Sequence, residues 1–203
     1  MMTTLTTSSP NLDRWFISDA QLHYLYPESI QLLARRHWTP LSVTQMVVQF
    51  LTPDQGNRVL DIGSGVGKFC LAGAYYKPAA SFFGVEQRRD LTDHAEFARA
   101  MLGLKNAYFI NSNFTLLDFK QYDHFYFYNS FHENLSSTEK IDNNISFSWE
   151  LYNLYNRFLY KKLDEMPPGT RLATFHCLED NIPESYHLVE TKVGCLLKFL
   201  IKI

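Results

Sequence analysis

Val59-Leu60-Asp61-Ile62-Gly63-Ser64-Gly65-Val66-Gly67-Lys68 is the stretch that decides the fold of this chain. An apolar run of strand length enters a glycine cluster, and Phe69 to Tyr76 then reads as a helix broken before Pro78. Glycine at 63, 65 and 67 lets backbone approach a ligand where a Cβ would collide. A phosphate loop of the form GxxxxGK[ST] is excluded, because Ile62 stands five residues before Gly67 and Phe69 follows Lys68. A GxGxxG dinucleotide fingerprint stays open, although its third glycine falls one residue early and Lys68 takes the expected place.

Outward from that loop the same unit repeats. Ser81 to Glu86 reads as a strand, Arg88 to Leu102 as a helix ended by Gly103, Ala107 to Asn111 as a strand, and His124 to Tyr128 as an aromatic strand. Strand and helix in alternation imply right-handed crossovers and a mostly parallel sheet with helices on both faces. Residues 144 to 164 carry Ile145, Trp149, Tyr152, Tyr155, Leu159 and Leu163 at helical spacing, and Pro167-Pro168-Gly169 stops that helix before a strand at Arg171 to Phe175. Tyr186 to Glu190 and Cys195 to Ile203 lie only a few residues apart, around Gly194, which predicts a C-terminal antiparallel hairpin.

The N-terminal side reads differently. Residues 1–17 form a Thr/Ser-rich flexible tail, and 18–55 a helical extension. In it Ser18 or Asp19 caps a helix running toward His37 with an interruption at Pro27. Thr39-Pro40 supplies an N-cap and a first-turn proline for a second helix, which closes at Pro53-Asp54-Gln55-Gly56.

Composition narrows the classes. The chain has 203 residues and a net charge of -2, which provides no strong field for phosphate, so naked nucleic acid ranks last among partners. Cys70, Cys177 and Cys195 contain no CxxC pair and leave an odd thiol, so neither a disulfide framework nor a zinc ribbon is expected. No basic and apolar leader opens the chain and no run approaches the ~18 apolar residues of a membrane span, so a cytoplasmic protein is the expectation. Aromatic residues make up 15%, concentrated in 125–131 and 147–160, which reads either as a rich core or as an aromatic acceptor pocket.

The acid followed by GxGxG, Asp61 with Gly63, Gly65 and Gly67, resembles the first motif of the class I, seven-stranded S-adenosylmethionine-dependent methyltransferases. The likeness covers about residues 39 to 203 and includes an acid ending the next strand, Gly84-Val85-Glu86, and a polar residue after the one following, Asn111-Ser112-Asn113-Phe114. It implies a Rossmann-like seven-stranded sheet and a cofactor-binding domain over 56–203. It also implies S-adenosyl-L-methionine wrapped by Asp61, Gly63, Ser64, Gly65 and Gly67. Glu86 and Gln87 would stand at the ribose, Asn113 and Phe114 at the adenine, and Thr39 and Asn129 at the remaining edge. A carboxylate suits two ribose hydroxyls because it is an acceptor with two oxygens.

Beyond the fourth strand stands Asn129-Ser130-Phe131-His132-Glu133-Asn134. The resemblance places this segment at the transferred methyl, with Asn129 and His132 as the candidate catalytic residues and Glu133 as a partner for His132. Amino-methyltransferases carry [DN]PP[FY] here; Ser130 and the absence of both prolines argue against an adenine-amino or glutamine-amide acceptor. A partial likeness to the seven-stranded histone-lysine methyltransferase type rests on Ile62 to Gly67, Thr39 and Asn129, and implies that residues 18 to 50 cover the cofactor. The implied function is methyl transfer to a protein side chain or small molecule, the alternative being a binding module that has lost turnover. No metal is expected: His176-Cys177 has no further ligand at metal spacing, and it reads as a strand end. Lys68, Arg35-Arg36-His37, Arg88-Arg89 and Lys161-Lys162 read as solvated, and Trp149, Tyr152 and Tyr155 as core.

Overall fold

A computed structural model describes residues 12–135, 140–177 and 182–203. The expected tail up to residue 11 lies outside the described residues, as does the side chain of Arg36. The strand of the decisive stretch, β1 (Arg58–Ile62), is central in a seven-stranded sheet. The others are β2 (Ser81–Glu86), β3 (Ala107–Asn111), β4 (His124–Phe127), β5 (Arg171–Phe175), β6 (Tyr186–Lys192) and β7 (Leu197–Lys202), in the order β3-β2-β1-β4-β5-β7-β6. The first five run parallel, and β7 pairs antiparallel with both β5 and β6.

Alternation along β1 explains why both sheet faces are covered. Val59 packs with Phe82, Tyr126, Ala173 and Phe199 beneath α4 (Leu41–Leu51), α5 (Lys68–Tyr76) and α6 (Arg89–Leu102). Leu60 and Ile62 pack on the opposite face with Phe125, Phe127 and Leu172 against α7 (Trp149–Asp164). Successive strand side chains point to opposite faces, so the aromatic run of β4 is divided between two cores.

Several boundaries differ from the sequence reading. Of the residues expected in a flexible tail, Leu12–Trp15 form a 3-10 turn and Phe16 stacks on Tyr75 of α5 with ring centroids 4.1 Å apart. The first predicted helix is three short ones, α1 (Asp19–His23), α2 (Glu28–Gln31) and α3 (Ala34–His37). Ser18 does cap α1, accepting from Gln21 N at 3.2 Å. Thr39 does not cap α4: Pro40 is the N-cap, Leu41 N donates to Asp19 Oδ1 at 3.0 Å, and the Thr39 hydroxyl turns inward to Tyr126 Oη at 2.8 Å. A carboxylate from α1 thus replaces the local hydroxyl, and a charged acceptor is the stronger partner for a helix N–H. The last long helix begins at Trp149, not at 144, because Ser148 caps it through Leu151 N at 3.1 Å. Its aromatic stripe is core only in part: Tyr152 is buried, whereas Trp149 is exposed.

Candidate active site

In this sheet order the chain reverses direction of winding between β1 and β4, and ligands of open α/β sheets lie beyond the strand ends at such a switch point. A cavity of about 710 Å³ opens there, within the usual range for small-molecule sites of roughly 300–1,000 Å³. Gly63, Ser64 and Gly65 of the loop, Glu86 ending β2 with Gln87 after it, and Asn129 to His132 after β4 line it together. Thr39, Asp61 and Phe114 also reach it, so most of the site residues expected from the sequence converge on one space.

Two do not. Gly67 stands outside the lining, and a Cβ there would meet Phe109 Cε1 at 2.3 Å and Ala95 Cβ at 2.9 Å. Its glycine lets α5 start close under β3 and α6. Asn113 is also outside: its Nδ2 donates to Gln87 Oε1 at 3.1 Å and Tyr155 Oη at 3.0 Å, while its Oδ1 accepts from Thr115 N. Its neighbours Ser112 and Phe114 line the cavity instead.

Backbone of the glycine loop is bound to its surroundings on both sides. Gly63 N and Ser64 N both donate to Val85 O at 3.0 Å, and Tyr26 Oη, from the extension, donates to Val66 O at 3.0 Å. The side chain of Ser130 fills the space above Gly63, where a Cβ would come within 2.4 Å of the serine Cβ, and its hydroxyl donates to Ile62 O at 2.7 Å. At Gly65 nothing lies within 4 Å of where a Cβ would stand, and this residue faces open cavity.

The charges are distributed unevenly. Glu86 accepts from Gly65 N at 3.1 Å and from Arg88 N at 2.9 Å; burial pushes its carboxyl up, opposed by those N–H groups and by the Arg88 guanidinium. Asp61 is buried with the Cys70 thiol at 3.8 Å, and burial pushes its carboxyl up to about 8. Lys68, expected on the surface, is 4% exposed and ion-paired with Asp19, and burial lowers its ammonium pKa against the pull of that partner. Glu133, expected beside His132, is instead bound to Arg88 Nη2 at 2.6 Å. The sequence separations of 49 and 45 residues leave no local signal for either pairing.

The lining also includes Trp38, Tyr128, His132 and His176, with the Tyr128 and His176 ring centroids 5.6 Å apart. Tyr126 of β4 and Tyr128 just after it pack on the side opposite Phe125 and Phe127 and line the cavity. Asn129 and His176 follow the adjacent strands β4 and β5 with φ of 39° and 55°. Left-handed backbone at non-glycine residues is uncommon and concentrates at functional sites. His176, expected only as a strand end, lines the cavity, and burial lowers its pKa, which keeps the imidazole neutral near pH 7. Among the described residues no cluster of three or more metal-ligating side chains occurs, and no helix is long and apolar enough to cross a membrane.

A seven-stranded sheet of this order, with a glycine loop after β1 and an acid after β2 sharing one cavity, is the architecture of the class I methyltransferases. A family model described as "Methyltransferase domain" matches residues 53–147. Residues 53–147 thus match a methyltransferase domain, and the chain has the fold of the class I S-adenosylmethionine-dependent methyltransferases. A tRNA (guanine-N(7)-)-methyltransferase of Nostoc sp. is 33% identical over 86 residues, 42% of this chain and 39% of that protein. One from Synechococcus sp. (strain JA-3-3Ab) is 46% identical over 54 residues, 27% of this chain and 23% of that protein. The matches thus span about two fifths or less of these curated relatives. Among solved structures, TrmN from Thermus thermophilus superposes with a TM-score of 0.60 at 18% identity, covering 86% of this chain and 52% of that one. The magnesium protoporphyrin IX methyltransferase of Synechocystis PCC 6803, solved with bound SAM, gives 0.56 at 17% identity over 99% and 100%. These two likenesses establish the fold.

Proposed function

We propose that the protein transfers a methyl group from S-adenosylmethionine to an acceptor that enters beside Asn129. The carrying observation is that Gly63, Gly65 and Glu86 face the same switch-point cavity as Asn129. The residues present fit this cofactor. Gly65 leaves open the space a side chain would take, and the Glu86 carboxylate retains lone pairs for two ribose hydroxyls beyond its two backbone bonds. In this reading Gly63, Ser64 and Gly65 hold the aminocarboxypropyl chain, Gln87, Ser112 and Phe114 surround the adenine side, and Thr39 with the 18–55 extension closes the cavity from above. Bound there, the cofactor supplies an electrophilic methyl on its sulfonium.

The chain's own contribution is alignment and exclusion of water. Positioning alone is worth roughly 7–11 kcal/mol, so no dedicated base is required. His132 lines the cavity beside Asn129, and neutral His176 is a second lining group able to take a proton. Among acceptors we place RNA first, ahead of the protein and small-molecule acceptors that the sequence favoured. The support is the likeness to a tRNA methyltransferase over 86 residues, together with aromatic side chains in the cavity lining that suit a splayed base.

Calorimetric titration with S-adenosylmethionine and S-adenosylhomocysteine, followed by labelled methyl transfer to RNA, protein and small-molecule fractions, tests both levels. Saturable binding and label in RNA are expected. Label confined to protein would move the acceptor class, binding without transfer to any fraction would favour the non-catalytic module, and no binding would remove the cofactor assignment. Glu86→Ala is expected to weaken S-adenosylhomocysteine binding by about 1–3 kcal/mol, the range for hydrogen bonds to a charged group. Unchanged affinity in that titration would remove Glu86 from the ribose.

A further inference from the structure

Arg88 stands two residues past Glu86, and its side chain is 5% exposed. Its backbone N–H donates to Glu86 Oε1 at 2.9 Å, and its Nη1 lies 3.8 Å from the same oxygen. The other edges of the guanidinium reach away from β2: Nη2 meets Glu133 Oε2 at 2.6 Å and Nε meets Asp142 Oδ2 at 3.0 Å. Both of these carboxylates belong to the segment between β4 and α7. Apart from the 3-10 turn at His132–Asn134, the described residues of that segment, 128–135 and 140–148, form no helix or strand of their own. It nevertheless walls the cavity with Glu133, Ile141, Ile145 and Phe147. Glu133 Oε2 also accepts from Ile141 N at 3.4 Å, and the Phe147 ring centroid lies 5.9 Å from the guanidinium.

We infer that Arg88 is a positioning residue: it holds the Glu86 carboxylate at the cavity and fastens residues 132–135 and 140–147 along the same wall, so that the wall and the ribose-side acid are set by one buried cation. The inference rests on the cofactor reading for the Glu86 half only. A planar guanidinium addresses three carboxylates from fixed directions, which a single ammonium on a flexible stem does not. Burial sharpens the dependence, since an unpaired carboxylate left behind is costly away from water. The neighbouring Arg89, 82% exposed and 3.8 Å from Asp93, shows the surface role that the sequence predicted for both.

The test uses the full chain with Arg88→Lys, Glu133→Ala and the double variant. Folding of each is confirmed by circular dichroism, and Arg88→Lys keeps the charge if a neutral replacement does not fold. Two readouts are taken: the rate of chymotryptic cleavage after Phe147 without ligand, and S-adenosylhomocysteine affinity by calorimetry. Each single variant is expected to speed cleavage at Phe147 at least tenfold and to weaken binding at least fivefold, with the double variant no worse than the weaker single. A merely structural role would not make the two substitutions non-additive in affinity. Parental cleavage rates in both single variants overturn the fastening, and faster cleavage with parental affinity overturns the positioning of Glu86. If the parent itself binds no S-adenosylhomocysteine, the cofactor reading fails while the cleavage rates still decide whether Arg88 holds the segment.

Discussion

Asp61→Asn is expected to gain stability over its parent progressively as the pH is raised from 5 to 8. In the fold, burial pushes the Asp61 carboxyl up to about 8, the Cys70 bond opposing and the Glu86 charge adding, from an ordinary value of 3.8. Between those values the folded chain keeps a proton that the unfolded chain has released. The unfolded state therefore binds fewer protons, and stability falls as pH rises through this window. At ~1.4 kcal/mol per unit of pH, the parent loses on the order of 4 kcal/mol between pH 5 and 8 at this one group, and Asn loses none. Urea unfolding of both proteins at pH 5, 6.5 and 8 measures the widening gap. A gap that stays constant over that range would mean that Asp61 is ionised in the fold. The window stops at 8 because the buried Cys70 thiol, pushed up by burial and by Asp61, begins to contribute above it.

Gly67→Ala should lose about 2–5 kcal/mol, as two independent costs add. An alanine at φ 78° occupies left-handed backbone, a strain of roughly 1–2 kcal/mol. Its methyl would also sit 2.3 Å from Phe109 Cε1 and 2.9 Å from Ala95 Cβ, and overpacking of this kind costs about 1–3 kcal/mol. Gly65→Ala separates the two, because its φ of 53° brings strain while nothing lies within 4 Å of the added carbon. That variant should unfold at a urea midpoint nearer the parent's but lose cofactor affinity, with its methyl in the cavity. Equal midpoints for Gly67→Ala and Gly65→Ala would show that the contact with Phe109 and Ala95 relaxes freely.

The contrast between these glycines shows where sequence reading succeeded and where it stopped. All three glycines of the loop carry positive φ, as a strand turning sharply into a helix requires. The pattern could not say that Gly63 and Gly65 face the cavity while Gly67 packs beneath it, because the packing partners come from β3 and α6. Asn113 was placed correctly after β3, but its side chain is held by Gln87 and by Tyr155 of α7, a helix 42 residues away. Likewise Thr39 sits where a helix cap belongs and lines the cavity, yet the cap itself is supplied by Asp19 from another helix.

By itself the sequence determined the order of strands and helices, the glycine loop at the end of β1, the acid at the end of β2 and the antiparallel hairpin at the C-terminus. These follow from backbone geometry and from apolar periods of two and 3.6 residues, which are local and written in consecutive side chains. Only the tertiary structure decided that Lys68 is buried against Asp19, that Glu133 pairs with Arg88, and that His176 lines the cavity. Those pairings join groups 45 or more residues apart that meet because parallel crossovers bring the strand ends to one switch point. A buried charge needs a partner wherever the fold can provide one, and the spacing of residues along the chain does not record which partner that is.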